Sequence, residues 1–94
     1  MKIFTSHFDY FQDFEIVILY NTNMIKNGST KFRNRLKELR VGMSLTQSEL
    51  ANKLNIPTST YANWELGRTE PSITDIFNLI DFFEIEANDL FDID

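Results

Sequence analysis

Cysteine is absent from the 94 residues, and histidine occurs once. No disulfide or thiolate metal site can form, so a reducing cytoplasm is a compatible setting. His7 has no second ligand at metal spacing and is assigned nothing. Glycine and proline number three and two, with no glycine-rich phosphate loop among them. With no nucleophile–base pair in sight, and a chain too short to enclose a typical ligand pocket, these absences speak against an enzyme. The longest uncharged apolar run is residues 16–20, far below the roughly 18 needed to cross a bilayer. Asp9, Asp13 and Glu15 stand where a signal peptide would need an unbroken apolar core. The expectation is one cytoplasmic domain with an appendage, without cofactor, metal or membrane partner.

Positive charge is also missing from part of the chain. The formal net charge is −5 and the isoelectric point about 4.7, but residues 69–94 contain eight acidic residues and no basic one. Residues 31–68 contain seven basic residues against three acidic, a local charge of +4. What a surface attracts is set by charge within a Debye length of about 8–10 Å, not by the total. An anionic partner is therefore expected on the middle of the chain and repelled from its end.

The middle is also where helical patterning is clearest. Phe32, Leu36, Leu39 and Met43 recur at helical spacing over about residues 30–41, and Gly42 is a plausible left-handed end. Lys31, Arg33, Arg35, Lys37 and Arg40 occupy the other faces, and the first four read as a mainly solvated surface. Thr46 followed by Glu49 is a capping box that makes Gln47 the first residue of a second helix, with Leu50, Ala51 and Leu54 as its buried stripe. Asn55 suits a left-handed exit. Pro57 suits the first turn of a third helix, in which Tyr61 and Trp64 point inward while Thr58, Ser59, Ala62 and Asn63 are left outside. Gly67 closes it. Ser72 and Asp75 cap a fourth helix carrying Ile73, Ile76, Phe77, Ile80 and Phe83, and a short fifth spans about 87–91.

Residues 1–30 differ in kind. They hold six of the thirteen aromatic residues, show no helical period, and include FEIVILY at 14–20, which reads as a β-strand. An unpaired apolar strand normally finds a partner. Three accounts of it stand side by side: pairing with a second copy, pairing within the arm, or translation starting at Met24.

The specific signal is LTQSELANKLNIPTSTYANWELG at 45–67. Two short helices share a compact joint, and Ala51 is small enough for the second to cross closely over the first. This is helix-turn-helix spacing, in which the second helix enters the roughly 12 Å major groove of duplex DNA. From about Phe32 to Phe91, the TQSELA core, the WELG close and the PS cap resemble the lambda-repressor/Cro type of helix-turn-helix, the XRE family. The resemblance implies an all-α, five-helix DNA-binding domain over residues 31–92 with its helix-turn-helix at 46–67, preceded by the 1–30 extension.

It also implies roles, position by position. Thr58, Ser59 and Asn63 match positions that touch base edges, and asparagine is a natural bidentate partner for adenine. Gln47, Thr60 and Arg68 match phosphate contacts. Arg40 and Glu65 match a partly buried salt bridge between the first and third helices. The sequence departs from the pattern at Leu66, where a polar residue is usual, at Asn55 and Glu84, where glycine is, and at Glu86, where serine or threonine caps the last helix.

The bland readings are a solvated face for the third helix and simple packing for Tyr61 and Trp64. Against these, the function expected is a sequence-specific transcriptional regulator, a repressor of bacterial or phage origin, binding a palindromic operator as a homodimer. The alternative is an antitoxin-like or other protein-interaction module holding a toxin or another protein, favoured by the aromatic arm and acidic end.

Overall fold

A computed structural model describes residues 30–91. The expected arm, with its strand at 14–20, lies outside the described residues. Within them are five helices: α1 (Thr30–Gly42), α2 (Gln47–Lys53), α3 (Thr58–Leu66), α4 (Ile73–Phe83) and α5 (Ala87–Phe91). There is no strand among the described residues, and the all-α architecture is the expected one.

Each helix contributes apolar residues to one core, mostly three or four apart. These are Phe32 and Leu36 of α1, Leu50 and Ala51 of α2, Tyr61 and Trp64 of α3, Ile76, Leu79 and Ile80 of α4, and Ala87, Leu90 and Phe91 of α5. The Phe32 and Phe91 rings lie 5.8 Å apart and join the two ends of the fold. α1 packs on α3 and α5, and α2 packs on α3. Two expectations about the core are corrected. Met43 leaves the α1 stripe and is 48% exposed, because α1 has ended before it. Leu79 is fully buried, whereas Ile73, Phe77 and Phe83 are only partly so. The apolar residues of α4 span more than half its circumference, and periodicity alone does not pick the centre of so wide a stripe.

The helix starts follow the capping chemistry. At α2 the Glu49 amide donates to the Thr46 hydroxyl oxygen at 3.0 Å, and the Thr46 amide donates to the Glu49 carboxylate at 2.8 Å. The Thr46 amide first, then the Thr46 hydroxyl, stabilise the charged Glu49 carboxyl and hold it below its ordinary pKa. Ser72 and Asp75 repeat the box at α4, at 3.1 and 3.0 Å. Pro57, expected inside α3, precedes it: its φ of −63° suits either place, but its ψ of 145° is extended.

The helix ends share one device. After α1, α2, α3 and α4 a residue turns left-handed: Ser44 (φ 60°), Asn55 (φ 60°), Gly67 (φ 76°) and Glu84 (φ 55°). Each time the following amide reaches back five residues: Leu45 to the Arg40 carbonyl (3.3 Å), Ile56 to Ala51 (3.0 Å), Arg68 to Asn63 (3.0 Å) and Ile85 to Ile80 (3.2 Å). This is the Schellman arrangement, which satisfies carbonyls the helix leaves open. Leu45, Ile56 and Ile85 then pack on the core, so each cap also fixes the direction of the next helix. Gly42, expected to be the left-handed residue, is the last residue of α1 instead.

Only one of the four left-handed positions is glycine. A non-glycine residue there carries a cost of about 1–2 kcal/mol, partly offset in glycine by a freer unfolded chain. Glu84→Gly is therefore expected to raise stability by about 0.5–1 kcal/mol in urea denaturation. A loss of stability would show that the Glu84 side chain does something the backbone reading omits.

Candidate nucleic-acid interface

α3 is held from behind and bare in front. Tyr61 and Trp64 are buried, their rings edge to face at 5.8 Å, and Ala51 of α2 is fully buried beneath the crossing. Thr58 and Ser59 are exposed, and Thr60, Ala62 and Asn63 are half-buried. Leu66 is 53% exposed, and Arg68 is exposed just beyond the helix. Gln47, half-buried at the start of α2, faces α3 through its side-chain amide.

What fixes α3 against its neighbours is a polar cluster centred on Glu65. Its Oε2 accepts from Arg40 Nε at 2.7 Å and from the Tyr61 hydroxyl. Its Oε1 accepts from Arg40 Nη2 at 3.1 Å and from Gln47 Nε2 at 3.0 Å. Arg40 Nη1 donates to the Leu45 carbonyl at 2.8 Å. The carboxylate thus receives four hydrogen bonds, about its full capacity. Glu65 ties α1 and α2 to α3, and Arg40 adds the α1–α2 joint through the Leu45 carbonyl. The Arg40–Glu65 ion pair is nearly solvent-free, with side-chain exposures of 11% and 6%.

The ionisation of the cluster follows from these contacts. Burial by itself would raise the Glu65 pKa, but the hydrogen bonds from Arg40, Tyr61 and Gln47, with the Arg40 charge, outweigh it and hold the carboxyl below its ordinary value. The bond to Glu65 raises the Arg40 pKa against the opposing effect of burial. Burial first, then the bond to Glu65, push the Tyr61 phenol far above its ordinary value. Tyr61→Phe keeps the ring and removes one donor to a charged group. It is expected to cost about 1–2 kcal/mol, read as a fall in the thermal midpoint of roughly 4–8 °C per kcal/mol for a domain of this size.

Three findings go beyond the sequence reading. Tyr61 is more than a packing residue; the signal was a hydroxyl-bearing ring four residues before a glutamate on one helix. Arg33 and Arg35, though partly open to solvent, do more than form a solvated face. Arg33 Nη1 donates to the Leu66 carbonyl at 2.8 Å, and its side chain lies across Gly67, where a Cβ would come within 2.8 Å of that nitrogen. Arg35 Nε donates to the Asp89 carbonyl at 2.7 Å and Nη1 pairs with Glu38 at 2.5 Å. Arginine forks reach carbonyls across helices in a way periodicity does not reveal. Lys31, Lys37, Lys53 and Arg68 are the exposed cations of the described residues, while α4 and α5 carry Asp75, Asp81 and Asp89 and no basic residue.

No group of three or more His, Cys, Asp or Glu side chains among the described residues is placed to hold a metal ion. No helix of the described residues is long and apolar enough to cross a membrane.

Comparison with known proteins agrees with this geometry. A family model described as helix-turn-helix matches residues 36–90. An uncharacterized helix-turn-helix transcriptional regulator of Methanocaldococcus jannaschii is 36% identical over 59 residues, 63% of this chain and 89% of that protein. Another, from Archaeoglobus fulgidus, is 31% identical over 59 residues, 63% of this chain and 83% of that protein. The transcriptional activator BcrR of Enterococcus faecalis is 30% identical over 60 residues, 64% of this chain, which spans only 29% of that longer protein. No solved structure matches the chain significantly. The helix pair α2–α3, its buried crossing and the family match over most of the five helices lead to one conclusion: this chain belongs to the XRE-type helix-turn-helix family.

Proposed function

We propose that the protein is a sequence-specific transcriptional regulator, a repressor of bacterial or phage type, that lays α3 in the major groove of duplex DNA. The observation that carries this reading is the division of α3 into a locked inner face and an outer face of short uncharged polar groups. Thr58, Ser59 and Asn63 touch base edges, while Thr60, Arg68 and Gln47 hold phosphates. Gln47 gives one N–H to Glu65 and keeps a second for a phosphate oxygen, so its amide is oriented before DNA arrives. The acidic α4–α5 side faces away from the duplex. Two copies bind a palindromic operator with half-sites about one helical turn apart, and the 1–30 extension is a separate segment from the 31–92 binding domain.

The test is selection of the full-length protein against a randomised duplex library, followed by titration of the enriched sequence at several salt concentrations. The expected result is a two-fold symmetric motif whose affinity falls steeply between about 50 and 200 mM salt. A library left unenriched at low salt would overturn the proposal. An unenriched library together with co-purification of a basic protein partner would favour the antitoxin-like reading, for which the acidic end of the fold is the support.

A further inference from the structure

The chemistry of α3 narrows what it can read. Of its nine residues, TSTYANWEL, only Glu65 is charged, and that carboxylate is filled by its four donors. Ser59, Ala62, Asn63 and Leu66 are spaced i, i+3, i+4, i+7 and make one continuous stripe. Ser59 and Leu66 are exposed, and Ala62 and Asn63 keep part of their surface open. The stripe therefore offers a hydroxyl, a methyl, an amide and an isobutyl group.

Guanine is read by a bidentate arginine or lysine, and cytosine by a free carboxylate. α3 has none of these to offer. The Ser59 hydroxyl can serve any base, adenine suits the Asn63 amide, and the thymine C5-methyl group takes an apolar contact. We infer that α3 reads an A·T-rich half-site, with Ala62 as a specificity-determining residue set against a thymine methyl beside the adenine read by Asn63. The short Ala62 side chain lets the helix backbone approach the base edge closely. Leu66 extends the apolar strip toward the groove rim, where Arg33 holds its carbonyl.

This inference rests on α3 being the groove helix, and its test separates the two. The full-length protein is titrated against its selected duplex with each thymine replaced in turn by deoxyuridine, which removes only the methyl. At one or two thymines per half-site the replacement should weaken binding about three- to five-fold, the factor expected for one buried methyl. In Ala62→Gly that difference should vanish at one of those thymines. Each variant is compared with itself on two duplexes, so any loss of folded protein cancels. Intact binding that tolerates deoxyuridine everywhere, a selected site rich in G·C, or an unchanged methyl effect in Ala62→Gly would overturn the inference and leave the groove-helix reading standing. A protein that retains no duplex at all would overturn both.

Discussion

Replacing Arg40 with methionine is expected to destabilise the domain by about 3 kcal/mol, because it strands the Glu65 carboxylate in a nearly dry site with only two of its four donors. Small domains have about 5–15 kcal/mol in total, so urea denaturation at neutral pH should show a large leftward shift of the midpoint. The double variant Arg40→Met/Glu65→Leu should recover most of the loss, since replacing a buried pair by apolar groups is often neutral or better. The cluster also sets an acid limit. Folding holds the Glu65 carboxyl below its ordinary value of 4.5, so the unfolded chain takes up that proton first. The contribution is complete above about pH 4.5 and drains away as the pH falls further. Arg40 stays charged throughout this range and adds no slope. In the double variant this acid-side slope should be reduced. An Arg40→Met protein as stable as the parent would mean that the four-donor cluster does not hold α3.

Asn63→Ala is expected to weaken binding to the selected operator by about 1–3 kcal/mol and to erase the preference at one base pair of each half-site. Gln47→Ala should weaken binding by a similar amount to every sequence, because a phosphate contact carries no base information. The contrast between the two is the informative quantity. Titrating both variants against the same enriched and scrambled duplexes measures it directly. Unchanged selectivity in Asn63→Ala would remove that residue from the reading face.

Much of the fold was legible because its signals are local. Thr46 with Glu49 and Ser72 with Asp75 announced two helix starts, and the alternation of buried and open positions placed Tyr61 and Trp64 inward. The misses have physical causes. Ser44, not Gly42, turns left-handed after α1, a conformation serine itself disfavours, and it brings Leu45 onto the core; the Glu84 turn falls where the resemblance already placed a usual glycine. The roles of Arg33 and Arg35 depend on carbonyls 33 and 54 residues away, which no pattern within a helix encodes. At the interface, the Arg40–Glu65 pair came from resemblance, whereas the contributions of Tyr61 and Gln47 to it needed coordinates. Reading Arg33 and Arg35 as a solvated face overstated the free charge, since both tie α1 to other parts of the fold.

The most direct measurement is the amide spectrum of the isotope-labelled full-length protein as its selected duplex is added. Shifts and broadening should concentrate on residues 58–63, Gln47 and Arg68, leaving α4 and α5 nearly still. Perturbations centred on the acidic α4–α5 face, with α3 unmoved, would contradict the account at its root.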